Sequence, residues 1–284
     1  MKLKITRNNE AFGGEWLYDL FEGGVEPIIK ALPTQVSAAE MIGTSPADGL
    51  SDNTVVLLGW PNKESGLVMG LRINAAQEQA ELSAVWPNLA NGLLYDVNLE
   101  GLILSDDGVE GAAEVTLPDH DQIELAFTDV HFAISHGDYL SPGPRRARII
   151  GLALGLKWAD CTPVVIGPEA PSYAMMVKNG ATVDHDGKIR LKTDQMAALL
   201  PHDLAPQAFQ IRGPVTAIRD DKTGVMGQSL RLLTVTVARP IQGNDLDLMV
   251  AVTPHLWPDC GKVQVGDSIQ GVVLLQGRFT PLAP

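Results

Sequence analysis

With 284 residues, 45% hydrophobic and 19% charged, the chain can bury a large core and is too apolar to remain disordered. Its formal charge of −13 is the net of residues 1–155, while residues 156–284 are balanced, so duplex nucleic acid is disfavoured as a partner. No run approaches the ~18 apolar residues of a membrane helix, no apolar segment follows the first lysines, and two cysteines cannot make a disulfide framework. The expectation is a cytoplasmic protein away from membranes.

The 28 glycines and 19 prolines fall between short apolar runs, a punctuation that favours strands and turns. Residues 1–95 read as an N-terminal α/β segment packed on the first of two β-barrel units. Leu3 and Ile5 alternate as an edge strand, and Trp16, Tyr18 and Phe21 form an aromatic cluster before Gly23-Gly24. From Pro27 to Met41 a ragged apolar face, split by Pro33, predicts two short helical turns. Residues 43–53 are a loop by composition. Val55–Trp60 and Gly66–Ile73 make a hairpin, and Asn74 caps a helix through Trp86 that Pro87 ends.

From Tyr95 the texture is β. In the first unit, 96–156, strands are predicted at Val97–Leu104, Ala112–Leu117, Ile123–Ile134 and Arg148–Leu156. Residues 157–210 connect, with a strand at Pro163–Ile166, a hairpin around Asp184-His185-Asp186-Gly187, and a short helix capped by Thr193. The second unit, 211–284, repeats the first: Phe209–Ile218, Ser229–Val237, Leu246–Val252 and the closing stretch Val263–Phe279. Each unit reaches its last strand through Gly-Asp, at Gly137-Asp138 and Gly266-Asp267, and that strand contains glycine. The fold class expected is mainly β (α+β), two tandem small OB-like β-barrels with a helical and hairpin insertion. As copies, the two Gly-Asp pairs should fall on equivalent turns.

Chemistry-bearing residues are few. Gly266-Asp267-Ser268-Ile269 resembles the block of the GDSL lipase/esterase superfamily, whose serine is the nucleophile. That family also needs a downstream Asp-x-x-His, and none of the 15 residues after Ile269 is histidine. Without a base the serine has no activation, and the stretch reads as a turn into a strand. Asp119-His120-Asp121 and Asp184-His185-Asp186 carry ligand-type side chains, yet neighbours in a turn diverge, and Asp is a common turn former. The strings Trp158-Ala159-Asp160-Cys161 and Trp257-Pro258-Asp259-Cys260 echo each other. If they met, Cys161, His255, Asp259 and Cys260 could compose a mixed zinc site. The plainer expectation is two reduced, unligated thiols beside buried Trp158 and Trp257. Arg145, Arg146 and Arg148, close to Tyr139, are the one basic cluster; they could grip a phosphate or a partner's acidic patch, or balance neighbouring carboxylates.

No nucleophile, base and oxyanion donor assemble from these residues, and none of them calls for a cofactor. The functional expectation is a non-enzymatic binding or assembly protein whose acidic surface meets a protein partner or another copy of itself. The alternative is single-stranded nucleic-acid or oligosaccharide binding through the near-neutral C-terminal barrel.

Overall fold

The structure, a computed structural model, describes residues 3–8, 12, 25–45, 54–64, 66–74, 79–106, 108–140, 142–225, 228–241 and 243–280. The aromatic cluster at Trp16, Tyr18 and Phe21 and most of the 43–53 loop lie outside these residues. In chain order the strands are β1 (Lys4–Arg7), β2 (Glu40–Thr44), β3 (Thr54–Pro61), β4 (Gly66–Asn74), β5 (Gln79–Asn88), β6 (Leu93–Leu104), β7 (Gly111–Leu117) and β8 (Ile123–Asp129). They continue as β9 (Gly143–Trp158), β10 (Val164–Ile166), β11 (Ile189–Leu191), β12 (Ala198–Pro201), β13 (Ala208–Val225), β14 (Gln228–Ala238), β15 (Leu246–Val252) and β16 (Ser268–Thr280). The helices are α1 (Val25–Ala38), α2 (Phe132–Ser135) and α3 (Tyr173–Lys178).

The fold is mainly β, as its alternating sequence requires. Ten strands form one sheet in the order β1-β6-β7-β8-β16-β9-β15-β14-β13-β12, and two further pairings, β6 with β9 and β13 with β16, return that order on itself. Strands β9 and β16 are long enough to serve both halves. They pair antiparallel from Ile269↔Trp158 to Thr280↔Arg146, while β6 takes the start of β9 and β13 takes the start of β16. Segments 96–156 and 211–279 are therefore joined in a single sheet.

Their Gly-Asp pairs also differ, contrary to the copy expectation. Gly137 lies in a 3-10 turn, His136–Tyr139, whereas Gly266 lies in a tight turn that returns its N–H to the Val215 carbonyl at 2.8 Å. The first follows α2, which ends β8 at Asp129 instead of the expected Ile134. Similar dipeptides were thus set in unlike surroundings.

Both faces of the shared strands are buried. On β9, Ala147, Ile149 and Ala153 join an inner core with Leu99, Phe127, Val235, Leu248 and Val273. Ile150 and Leu152, one residue out of step, join a second core with Leu232, Ala251 and Leu274. A bulge between Val272/Gly155 and Val273/Ala153 changes the parity, so Leu156 returns to the inner core.

The second core is capped by a four-stranded antiparallel sheet, β2-β3-β4-β5, which lends it Val55, Leu57, Leu67, Val68 and Trp86. Each such side chain contributes about 1.5–3 kcal/mol by leaving water. This burial explains the main correction to the expected elements. The helix predicted from Asn74 to Trp86 gives way to strand β5, paired with β4 from Gly66↔Asn88 to Asn74↔Gln79. Its Ala, Gln and Glu favour a helix locally, but only a strand places Trp86 in the core and satisfies the exposed edge of β4.

Smaller corrections have similar causes. Helix α1 runs unbroken through Pro33, without the split expected there. In the connecting segment, most of the first arm of the expected hairpin is helix α3, and only Val183 pairs across the turn, with Ile189. The expected helix after Thr193 is a turn followed by β12, which pairs with β13 from Ala198↔Arg212 to Pro201↔Phe209. Among the described residues no helix is long and apolar enough to cross a membrane.

Candidate functional site

A wide concavity among the described residues lies on the outward face of β6, β7 and β8. Register places Thr116 opposite Asn98 and Glu124, and Glu114 opposite Gly101 and Ala126. Glu100 occupies the bulge between Leu99 and Gly101, where it accepts a hydrogen bond from Thr116 Oγ1 at 3.4 Å. The bulge brings Glu100 beside Thr116, so Glu100, Glu114 and Glu124 line one groove. Gly101 leaves room for the Glu114 carboxylate, since a Cβ there would stand 2.2 Å from Glu114 Oε2 and oblige that side chain to swing aside.

Pro201, Pro206 and Phe209 wall the groove near the β12–β13 hairpin, and Lys4 of β1 supplies its lone cation among the lining residues. Val115, Leu125 and Ala126 give it apolar edges. The space measures about 650 Å³, within the range of clefts that enclose a ligand. Chemically it offers three carboxylates against one ammonium, two of the three being only half exposed, and so attracts a cation. Sequence reasoning had not singled out these glutamates. Their signal was weak, since polar residues alternating with apolar ones mark the outward face of any half-buried strand.

The residues that sequence reasoning did single out are dispersed. Arg146 forms an ion pair with Asp96 at 3.2 Å, Arg148 donates to the Gly92 carbonyl at 3.0 Å, and Arg145 donates to the Pro144 carbonyl at 2.9 Å. Alternation along β9 puts Arg146 and Arg148 on one face and Arg145 on the other. Tyr139 does not join them as a ligand contact. It is 1% exposed, and its hydroxyl donates to Asp129 Oδ2 at 2.6 Å. Burial first, then the Asp129 charge, pushes that phenol well above its ordinary range. Asp129 also accepts from Ser135 Oγ at 2.9 Å and from the His131 backbone N–H at 2.8 Å. This network ties α2 and the following 3-10 turn to the end of β8.

The two Trp-x-Asp-Cys strings do meet, through their indoles. Trp158 and Trp257 are edge-to-face with centroids 5.3 Å apart. The expectation of two buried tryptophans fails for Trp158, which is 40% exposed because it ends β9 beyond the cover of the core. Cys161 is exposed and Cys260 buried, both unbridged. Asp259 pairs with Lys262 at 2.6 Å, His255 is exposed, and no group of three metal-ligating side chains occurs among the described residues.

Burial pushes the Cys260 thiol up, lowering its thiolate fraction. A thiol reagent is therefore expected to modify Cys161 alone in the native protein, and both cysteines after unfolding. Intact-mass measurement checks this, and two adducts formed equally fast in native buffer would place Cys260 outside the core.

The remaining motifs have structural partners. Asp184 and Asp186 both hold Arg190, at 2.5 and 2.7 Å. His120 Nδ1 is 2.9 Å from the Asn244 carbonyl, and Asp121 adopts the left-handed conformation of a turn. Ser268 Oγ donates to the Asp194 carbonyl at 2.6 Å, and Asp267 accepts from the Gln264 N–H at 2.7 Å. No family model, curated protein or solved structure matches this chain.

Proposed function

We propose that the protein is a non-enzymatic cytoplasmic binding or assembly component that takes a lysine- or arginine-bearing segment of a protein partner into its acidic groove. The observation that carries this reading is the convergence of Glu100, Glu114 and Glu124 on one concave surface. A cationic head entering the groove exchanges water for charge-assisted hydrogen bonds, while the exposed rings of Pro201 and Pro206 flank its methylene stem. In this reading the two returning circuits of strands are small OB-like barrels sharing β9 and β16, with the groove on the wall of the first. Single-strand binding by the C-terminal half is less well supported. The two aromatic residues of 212–279 are engaged in packing: Trp257 is buried, and Phe279 lies against Phe127 and Tyr139.

The test is fluorescence polarisation with two labelled peptides of equal length, one rich in lysine and arginine and one neutral. The expected result is binding of the basic peptide alone, weakened about tenfold or more by the triple substitution E100Q/E114Q/E124Q and by added salt. Equal binding by the triple variant sinks the reading. A labelled DNA duplex is expected to remain unbound at physiological salt, because the acidic half repels phosphates.

A further inference from the structure

A second, smaller cleft of about 20 Å³ opens at the far end of β8, where the two sheets meet. Asn88 and Leu89 line it from the end of β5, Thr128 to His131 from β8 and the turn after it, Arg148 from β9, and Gln276 to Arg278 from β16. One bond ties the walls across the seam, from Gln276 Nε2 to the Pro87 carbonyl at 2.9 Å, and within the smaller sheet Asn88 Nδ2 donates to the Lys63 carbonyl at 3.3 Å.

Two independent features mark this cleft. Thr128 is 5% exposed and His131 9%, and neither Thr128 Oγ1 nor His131 Nε2 has a hydrogen-bond partner. Polar atoms buried in that way are costly and call for a partner. In addition, Arg148 and Arg278 are direct cross-strand partners in the β9–β16 ladder, with Arg146 two residues away on the same face. Like charges placed opposite each other destabilise a sheet unless something neutralises them. Arg146 has Asp96, but among the described residues no carboxylate forms an ion pair with Arg148 or Arg278.

The carboxylates near the cleft do not meet that need. Both oxygens of Asp129 already accept from His131 N–H, Ser135 and Tyr139, and Glu64, which acts on His131 electrostatically, is exposed. Burial lowers the His131 pKa, outweighing the pull of Asp129, and Arg278 lowers it further. A neutral imidazole with its proton on Nε2 is a donor toward the cleft.

We propose that this cleft binds a small oxyanion, a carboxylate or phosphate group, bracketed by the Arg148 and Arg278 guanidiniums and completed by the Thr128 hydroxyl and His131 Nε2–H. Guanidinium forks match planar and tetrahedral oxyanions alike. The enclosed part, about 20 Å³, has room for about one water-sized atom, so one oxygen of the anion enters it while the rest of the group lies in the open mouth. Bound there, the anion would neutralise the arginine pair and bridge the seam between the sheets.

The test monitors the His131 imidazole resonances of the full chain during separate titrations with sodium acetate, sodium phosphate and, as an ionic-strength control, sodium chloride. A saturable shift with acetate or phosphate and none with chloride is expected, and the two arms tell a carboxylate source from a phosphate one. Arg278→Gln is expected to weaken the affinity about tenfold or more, the loss of one charge-assisted contact. Thr128→Val, which keeps the shape of the side chain, should weaken it by a smaller factor and guards against a folding defect in the arginine variant. A flat response to both oxyanions, as for a site that holds only structural water, overturns the proposal. So does an equal response to chloride, or unchanged affinity in Arg278→Gln. Neither the peptides nor the glutamates of the groove enter this measurement, so either proposal can fail alone.

Discussion

Replacing Gly271 by valine is expected to lower the unfolding free energy by about 3 kcal/mol or more, well above the ~1 kcal/mol of an average substitution. Gly271 stands where three strands meet, paired with Leu156 of β9 on one side and Ile211 of β13 on the other. A Cβ at this position would lie 2.0 Å from the Gly155 carbonyl oxygen and 2.8 Å from Leu156 Cδ2. The first of these neighbours is backbone and cannot rotate away, so the β9 bulge itself would have to move. Gly155 supplies the control, since a Cβ there meets nothing within 4 Å. Urea unfolding of Gly271→Val and Gly155→Ala should therefore differ sharply, with the second near wild type. If Gly271→Val unfolds within about 1 kcal/mol of wild type, the close approach of β16 to the bulge is not as described.

The second large effect is expected at Asp129. Removing its carboxylate in Asp129→Ala should cost about 3 kcal/mol, because three donors lose a charged acceptor at a buried position. Asp129 is 4% exposed, and Tyr139 is more deeply buried still, so the freed phenol finds no water in exchange. Tyr139→Phe alone should cost less, about 1.5–3 kcal/mol for one hydrogen bond to a charged group. It leaves Asp129 with Ser135 and the His131 N–H. The double variant should then be little worse than Asp129→Ala, and a double-mutant cycle measures the coupling directly. Strictly additive losses would show that Tyr139 does not depend on Asp129.

Neither residue announces its role in the sequence. Asp129 is the last residue of β8 and lies inside the strand expected to run on to Ile134, and Tyr139 stands four residues before β9 next to the polar stretch that carries Arg145 and Arg146. That proximity suggested a shared binding surface. The structure separates them because α2 and the 3-10 turn fold Tyr139 back under β8, against Phe132 and Phe279. The arginine that faces Arg148 is Arg278, 130 residues away, and only the β9–β16 register brings the two together. Likewise, Glu100, Glu114 and Glu124 belong to three strands, and their convergence depends on a bulge that no local pattern specifies.

What the sequence by itself determined was local. Apolar alternation and Gly/Pro punctuation marked β6, β7, β14 and β15 closely and the hairpin of β3 with β4, because side chains on a strand report its two faces directly. The tertiary structure decided what needed a partner. It drew the helix-prone stretch at β5 into a sheet, because Trp86 and the open edge of β4 outweighed intrinsic preference. It joined two apparent repeats through β9 and β16, because each strand is apolar on both faces and so accepts a layer on either side. It also set which charges stand opposite each other, a matter of register between strands distant in the chain, where a shift of one residue would carry every side chain to the other face.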